Sequence, residues 1–399
     1  MYSLKLSLCF FILFAVLSIN AQSGVIRDDF RVHNDSTGNE CYSPDAVLTP
    51  DNSGIILWQD SRNGEPNIYA QSLDSTGGLT NSNFKLSSYP GNYSERDVHA
   101  DISGDSILAT FTSGYGQWLD LNGSLLGSSF RFDFYSSVYE VDGIATDSGI
   151  FAVGYRYTSN GTDIYIRRFD HDGTPISDTL LVNDDGTPYN QWYPRIAKSL
   201  KYYIVVWSDY RSGTDGDIYA QLFDQSGNKV GTNFRVNDPA TNTQDNPDVA
   251  MDSRGNFVVV WADYRNGNKD IYAQRFDSTG TPIDTNFIVN DDVTGEYQDH
   301  PAISMDSSGN FTIAWLDTRD GPNYIYAQMF DSTGNPVDTN WKVSENSGSE
   351  SQFAPSVFMN EQRILITWDD QRDDRSIYYR EFNIDRTPRN SDTKVNDVT

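Results

Sequence analysis

Residues 257–280 read FVVVWADYRNGNKDIYAQRFDSTG, and this stretch decides the fold. It contains two runs rich in β-branched and aromatic residues, 257–261 and 271–276, which are typical of strands. The residues that follow the second run, Asp277-Ser278-Thr279-Gly280, are typical of a hairpin turn. The stretch therefore predicts antiparallel β-structure.

The same pattern recurs along the chain. Each copy has an aromatic residue that ends its second apolar run, and these landmarks are Trp58, Phe111, Tyr155, Trp207, Trp261, Trp315 and Trp368. Their spacings are 53, 44, 52, 54, 54 and 53 residues, so the chain contains seven copies. A fixed period of this length over the whole chain is typical of a repeat architecture.

Each copy contains four strand-like runs. Around Trp261 they are Asp248 to Met251, Phe257 to Trp261, Ile271 to Phe276 and Asn286 to Asn290. Four antiparallel strands make one blade, and seven blades make a propeller. The sequence therefore predicts an all-β fold, a seven-bladed β-propeller of four-stranded blades, as a single domain over residues 22–399.

The pattern of the fourth strand occurs eight times, whereas the other three strands occur seven times. The extra copy is one of the two terminal ones, Phe30 to Asn34 or Thr393 to Val395. In many propellers the ring is closed where the first and last segments of the chain pair in one blade. We therefore expect the N-terminal copy to close the ring by completing the last blade.

The first 21 residues have the pattern of a cleaved export signal. Lys5 precedes the apolar run Leu8 to Leu17, and Ile19-Asn20-Ala21 is a plausible cleavage site. No second long apolar run follows, so we expect a secreted or otherwise extracytoplasmic protein without a membrane span. Of the two cysteines, Cys9 lies in the signal, which leaves Cys41 without a partner for an internal disulfide.

The chain is strongly acidic. It has 29 Lys and Arg against 56 Asp and Glu, and its formal net charge is −27. Such a charge repels nucleic acid and anionic membrane surfaces, so both are excluded as expected partners. We expect a monomer that binds an extracellular glycan or a protein.

Five copies carry the motif Trp-x-Asp-x-Arg at the landmark aromatic. Its residues are Trp58, Asp60 and Arg62; Trp207, Asp209 and Arg211; Trp261, Asp263 and Arg265; Trp315, Asp317 and Arg319; and Trp368, Asp370 and Arg372. In an extended chain, positions i, i+2 and i+4 share one side, so the three side chains can contact each other. Because the set recurs in five blades, we predict that it stabilises the blades and takes no part in a single active site.

Residues 261–280 resemble the repeats of TolB-type propellers, in which a similar Asp-Arg-x-Gly-x-x-Asp-Ile-Tyr run links two strands. They are similar also to repeats of large secreted bacterial surface proteins. The resemblance covers blades one and four to seven well and implies a propeller and export. A more distant similarity is to the sialidase-like propellers, but the turn at 306–311 lacks the Trp of their Asp box and spaces its Asp differently from the Gly.

Two blades depart from the repeat and are candidates for a ligand site. Blade two lacks the Asp-x-Arg pair and shortens its loop before Trp118, and blade three replaces the motif with Tyr155-Arg156-Tyr157. Aromatic and cationic groups of this kind suit a sugar ring or a carboxylate. With two further aromatic residues in the loop-rich region, the candidate ligand-binding residues are Trp118, Tyr155, Arg156, Tyr157, Trp192 and Tyr193. Neutral drift of the two blades explains the same departures.

No catalytic residue and no metal site is predicted. The four histidines are scattered without metal-ligand spacing, and no nucleophile or phosphate-binding motif occurs. We expect no cofactor. The alternative is that calcium binds at Asp-rich loops such as Asp291-Asp292 or Asp369-Asp370. The leading hypothesis is a non-catalytic, secreted binding or surface module; the alternatives are a propeller-fold glycoside hydrolase, using carboxylates on the loop-rich face, and a protein-interaction scaffold.

Overall fold

A computed structural model describes residues 41–62, 66–86, 97–111, 114–134, 138–159, 161–239, 241–345, 348–373 and 375–396. These residues form seven antiparallel sheets of four strands, and each sheet uses four strands that are consecutive in the chain. The fold is a seven-bladed β-propeller, as the repeat predicts. The export signal at 1–21 and the N-terminal strand copy lie outside the described residues.

The first strands of the blades are Cys41–Leu48 (β1), Val98–Ser103 (β5), Tyr139–Thr146 (β9), Gln191–Lys198 (β13), Gln244–Met251 (β17), Gln298–Met305 (β21) and Gln352–Met359 (β25). The second strands are Gly54–Asp60 (β2), Ser106–Phe111 (β6), Gly149–Thr158 (β10), Tyr202–Asp209 (β14), Phe257–Asp263 (β18), Phe311–Asp317 (β22) and Arg363–Asp370 (β26).

The third strands are Asn67–Leu73 (β3), Tyr115–Asp120 (β7), Gly161–Phe169 (β11), Asp217–Asp224 (β15), Asp270–Phe276 (β19), Tyr324–Phe330 (β23) and Ser376–Asn383 (β27). The fourth strands are Leu79–Lys85 (β4), Leu125–Arg131 (β8), Leu180–Leu181 (β12), Lys229–Arg235 (β16), Pro282–Ile288 (β20), Pro336–Lys342 (β24) and Thr393–Lys394 (β28). A single 3-10 turn, Gln371–Asp373, is the one helical element among the described residues, and none of them forms a helix that could cross a membrane.

The first strands of neighbouring blades contact each other, and β1 contacts β25, so the ring is closed around an axial channel. Because the strands run antiparallel, the loops between second and third strands lie at the same end as the connections between blades. We call this the loop-rich end. It is also the end at which every first strand begins.

The hydrophobic core consists of layers between blades. Trp261 is fully buried and packs in one layer with Ile204 and Val206 of the preceding blade. The layer between the last blade and the first contains Leu365 and Tyr379 beside Trp58, and it completes the ring. Both faces of each blade are covered in this way, which explains why the second strands are continuously apolar in sequence.

The repeat motif is a compact network inside each blade. In blade five, the indole N–H of Trp261 donates to Asp263 Oδ2 (2.8 Å), and Asp263 Oδ1 accepts from the backbone N–H of Arg265 (2.9 Å). The Arg265 guanidinium pairs with Asp263 and lies 4.2 Å from the ring centre of Tyr272 on the third strand. The other four copies repeat the arrangement, with indole-to-carboxylate distances of 2.8–3.2 Å. The network ties the second strand, its loop and the third strand together.

Ring closure differs from the expectation. The fourth strand of the last blade is the C-terminal copy, since Thr393 and Lys394 of β28 pair with Tyr379 and Tyr378 of β27. The expected use of the N-terminal copy at this position is therefore wrong. The first and last blades are each complete without it, and side chains seal the junction; for example, the Tyr379 hydroxyl donates to the Gly77 carbonyl (2.5 Å).

The landmark of blade three is also corrected. The residue opposite Tyr165 is Gly154, whereas in blade one Trp58 is opposite Tyr69. Gly154 therefore takes the position of the tryptophan, and Val138 and Val141 pack against it from the first strand side. Tyr155 is one residue further along the strand, so its side chain faces blade four instead of blade two.

Candidate functional site

The axial channel holds a cavity of about 870 Å³ that is lined by the first strands of all seven blades. Its wall contains charged and polar side chains, which sets it apart from the apolar layers between the blades. A concave cavity with convergent polar groups is the default location of a binding site.

The mouth of the channel at the loop-rich end is shaped by a ring of bulged residues. In six blades the first strand has a β-bulge near its beginning, and each bulge includes a residue with positive φ. Blade two has its counterpart directly before β5. The seven residues, with φ between 39° and 55°, are Ser43, Asp97, Glu140, Tyr193, Asn246, His300 and Ala354. Left-handed backbone is uncommon outside glycine, and such bulges re-aim side chains beside functional sites.

The bulges contain a repeated sequence motif, Gln-x-x-Pro, which occurs at 191–194, 244–247, 298–301 and 352–355. The four Gln-x-x-Pro segments form the beginnings of first strands, for example Gln244 paired with Asp263 and Asp248 paired with Val260 on either side of the bulge. The first strand of this blade therefore begins at Gln244, four residues before the predicted Asp248. Proline normally ends a strand, and the bulge is where a sheet tolerates it.

Deeper in the channel, carboxylates join neighbouring blades. Asp45 accepts a hydrogen bond from the Ala100 backbone N–H (2.8 Å), and Asp248 accepts one from the Ile303 backbone N–H (2.9 Å); both donors belong to the next blade. Asp142 does the same with Ile196 (3.0 Å). Burial raises the pKa of Asp45 to about 6 and that of Asp248 to about 7, although these backbone donors favour the ionised forms.

These carboxyl groups predict that the protein is more stable in mild acid. Since the pKa values of Asp45 and Asp248 are higher in the folded chain than the ordinary value of 3.8, folding binds protons and stability is lost as pH rises through about 4 to 7. His99, whose pKa burial lowers to about 3, acts in the opposite direction, and carboxyl groups with a lowered pKa, such as Asp299, act in the opposite direction only below the ordinary carboxyl pKa of about 4. We expect the thermal midpoint to be higher at pH 5 than at pH 8, with a smaller difference in Asp248→Asn. A midpoint that rises with pH would contradict this prediction.

At the mouth, blades five and six form an ion cluster around Lys269. This buried lysine lies 2.8 Å from Asp299 Oδ2 and 3.2 Å from Asp245 Oδ1. The Tyr297 hydroxyl donates to Asp299 (2.6 Å), and His300 Nδ1 lies 3.3 Å from the same carboxylate. Although burial opposes it, the contacts with His300 and Lys269 hold the pKa of Asp299 well below its usual range. Asp299 is therefore a fixed anion, and its partners are held in place around it.

Blades three and four supply an aromatic wall at the same end of the propeller. We use this name for Tyr139, Tyr155, Tyr157 and Trp192. Tyr155 lies 4.9 Å from Trp192 and 5.8 Å from Tyr157, between ring centres, and Tyr139 stacks on Tyr155 at 5.7 Å. Tyr155 is buried at the base, whereas Tyr157 is 58 % and Tyr139 is 42 % exposed. The wall therefore presents open aromatic surface at the loop-rich end.

Glu140 lies between the aromatic wall and the channel. It follows Tyr139, carries the positive φ of its blade, and lines the cavity with Tyr193. Burial raises its pKa to about 7, and the charge of Asp97 adds to the shift, while Arg195 opposes it. The mouth thus holds one carboxyl group that changes charge near neutral pH and another, Asp299, that stays ionised.

The structure brings together four of the six predicted ligand residues. Tyr155, Tyr157, Trp192 and Tyr193 lie at the loop-rich mouth, the first three in the aromatic wall and the last in the channel lining.

The other two predicted ligand residues lie elsewhere. Arg156 points to the opposite side of its strand, where Nη2 donates to the Tyr165 hydroxyl (3.2 Å), as alternation along a strand requires. Trp118 is buried, and its indole N–H donates to the His171 carbonyl (2.8 Å) in a turn at the end remote from the mouth. Trp118 and Arg156 therefore lie apart from the other four residues, and the structure does not join blades two and three in the predicted ligand site.

Several residues of the mouth were missed in the sequence. Glu140 and Lys269 sit at positions where the other blades carry different residue types, so departure from the repeat was the available signal; Tyr139 gave no such signal, since blade one has Tyr42 at the same position. His300 and Asp299 were hidden inside a repeated connection. Glu140, Lys269 and Asp299 belong to three different blades, and they meet at the mouth only in the folded propeller.

No group of three His, Cys, Asp or Glu side chains in the described part of the chain is arranged to hold a metal ion. At the Asp-rich loops considered for calcium, Asp291 pairs with Arg319 (2.6 Å) and Asp369 with Arg375 (3.0 Å). Calcium binding stays a prediction.

Comparison with protein-family models gives no match, and no curated protein matches in sequence. Among solved structures, the chain is similar to a puromycin-hydrolysing peptidase of Mycobacterium tuberculosis, with 10 % identity, a TM-score of 0.53, and coverage of 86 % of this chain and 51 % of the peptidase.

Two further solved structures cover most of both chains. The GH93 α-L-arabinofuranosidase of Fusarium graminearum has 13 % identity, a TM-score of 0.48, and coverage of 85 % of this chain and 92 % of the enzyme. The Cps50 (Swd1) β-propeller domain of Myceliophteria thermophila has 9 % identity, a TM-score of 0.49, and coverage of 85 % and 96 %. At these identities the likenesses concern the fold alone, and the resemblance to TolB-type repeats stays a prediction.

Proposed function

We propose that this chain is a secreted carbohydrate-binding propeller whose binding site is the loop-rich mouth of the axial channel. The observation that carries the proposal is the aromatic wall, which exposes Tyr157 and Tyr139 and is joined to the polar cavity through the lining residues Glu140 and Tyr193, the chain neighbours of Tyr139 and Trp192. Aromatic rings stack on the apolar faces of sugars, while nearby polar groups recognise the hydroxyls. Tyr193 in the channel lining and the Lys269 cluster supply such polar groups.

The proposal predicts that the double variant Tyr157→Ala/Trp192→Ala loses glycan binding. Removing two stacking rings is expected to weaken affinity by about tenfold or more. The measurement is a glycan array, followed by calorimetric titration with the best glycan. Tyr202→Ala, at the opposite end of the propeller, is the control and should bind as the wild type does. A wild-type protein that binds no glycan would overturn the proposal and leave the protein-interaction scaffold.

A second candidate, a glycoside hydrolase, is favoured by one specific observation. The mouth holds a carboxyl group whose pKa is raised to about 7, Glu140, and an ionised one, Asp299. Two carboxyl groups with pKa values driven apart are the usual requirement for acid and base roles in glycoside hydrolysis. Release of reducing sugar from a polysaccharide by the wild type, and its loss in Glu140→Gln, would establish this function in place of simple binding.

A further inference from the structure

Glu140 has an unused hydrogen-bonding atom. Its Oε2 is buried, and among the described residues it has no hydrogen-bond partner. No Lys or Arg of the described chain lies within ion-pair distance of it. A buried carboxylate oxygen without a partner is costly, and such a group in a native site requires an explanation.

The surroundings of this oxygen are aromatic. Tyr155 is buried beside Glu140, and after burial itself the charge of Glu140 is the main factor that raises the pKa of this tyrosine. On the other side, burial and then Glu140 raise the pKa of Tyr193. Tyr139, the residue before Glu140, stacks on Tyr155 at 5.7 Å between ring centres, and Glu140 lines the cavity together with Tyr193, so this residue stands where the aromatic wall meets the channel.

The charges around the channel leave a local negative excess. Arg195 is the cation that faces Glu140, and its pKa is raised by Asp142, Asp248, Glu140 and Asp97, although burial opposes this. Its hydrogen bond within the described chain goes to the neighbouring Pro194 carbonyl (3.0 Å). One guanidinium therefore serves four carboxyl groups. The whole chain adds a net charge of −27, which attracts cations over longer distances.

A carboxylate flanked by aromatic rings is the chemistry that recognises an ammonium group, because the charge pairs with the carboxylate and the ring faces attract the cation. We propose that the mouth recognises a protonated amine on the bound carbohydrate, so that its ligands are polysaccharides with free amino sugars. The amine donates to Glu140 Oε2 while the sugar ring lies against the aromatic wall. This inference rests on the proposed carbohydrate-binding function and specifies its ligand.

The test compares two oligosaccharides of the same backbone that differ only at the 2-nitrogen, which is a free amine in one and N-acetylated in the other. A hexamer of glucosamine and a hexamer of N-acetylglucosamine are titrated into the full chain at pH 7 by calorimetry, where the carboxyl group of Glu140, whose pKa is about 7, is partly ionised and the free amines are partly protonated. The wild type is expected to bind the free-amine hexamer about tenfold or more tightly than the acetylated one. In Glu140→Gln this preference should disappear, while affinity for the acetylated hexamer is retained.

A control separates the site from general charge attraction. Glu296→Gln removes an exposed carboxylate in a loop at the same end, and it should keep the full preference. Glu140→Gln is expected to fold, since burial already favours the neutral form of this side chain. Its thermal midpoint should equal that of the wild type within a few degrees.

The outcomes distinguish this inference from the function on which it rests. Equal binding of the two hexamers, or a preference that persists in Glu140→Gln, overturns the recognition of an amine and leaves carbohydrate binding intact. Failure of both hexamers and of every glycan on the array overturns both proposals.

Discussion

Trp261→Ala is expected to lower the free energy of unfolding by about 3–5 kcal/mol. The indole is fully buried between blades four and five and packs with Ile204 and Val206, so its removal leaves a cavity in a layer with little room to relax. The substitution also removes the donor to Asp263. Denaturant titration followed by circular dichroism measures the loss.

Trp192→Ala is the matched control for this prediction. Trp192 belongs to blade four, the blade before that of Trp261. It is only partly buried and is part of the aromatic wall. We expect a clearly smaller loss of stability, with the larger effect on ligand binding. Equal destabilisation by the two substitutions would contradict the interpretation of Trp261 as a core residue between blades.

Asp317→Ala should be the second most damaging single change, at about 2–4 kcal/mol. The carboxylate accepts from the Trp315 indole (2.9 Å) and from the Arg319 backbone N–H (2.9 Å), and it pairs with the Arg319 guanidinium. Without it, a buried indole N–H and a largely buried cation lose their acceptor. Arg319 keeps its ion pair with Asp291. The expected loss of stability is therefore smaller than for a buried cation that is left without any partner.

Asp331→Ala in the same blade provides the comparison. Asp331 is also a hydrogen-bonded aspartate, accepting from Thr333 and Asn335, but it caps an exposed turn. Water replaces its hydrogen bonds, so we expect less than half the effect of Asp317→Ala. If Asp317→Ala were as mild as Asp331→Ala, the repeat motif would not be a stabilising network.

The fold was readable from the sequence because its units are local and repeated. A strand, a turn of the Asp-Ser-Thr-Gly type and a second strand lie within about 25 residues, and seven copies expose the same pattern repeatedly. The Trp-x-Asp-x-Arg contacts were readable for the same reason, since i, i+2 and i+4 in a strand share one side whatever the tertiary structure.

The predictions from the sequence were wrong where the result depended on a shift of one residue in strand register, or on which terminal copy of the fourth strand completes the last blade. Tyr155 looked like the landmark of blade three because it is aromatic, but the pairing puts Gly154 at that position. Trp118 was predicted to bind a ligand with the residues of blade three, but its strand carries it towards the remote end. Alternation along a strand turns a shift of one residue into a change of face, and sequence spacing alone does not fix it.

The sequence by itself determined the all-β class, the seven blades, the apolar second strands and the network that ties each blade, because each repeat contains the residue pattern for all of these. The tertiary structure alone decided the mouth of the channel. Glu140, Tyr193, Lys269 and Asp299 come from four different blades and are separated by up to 159 residues in the chain. They meet only because the ring closes, and ring closure brings the first strands of all blades around one axis.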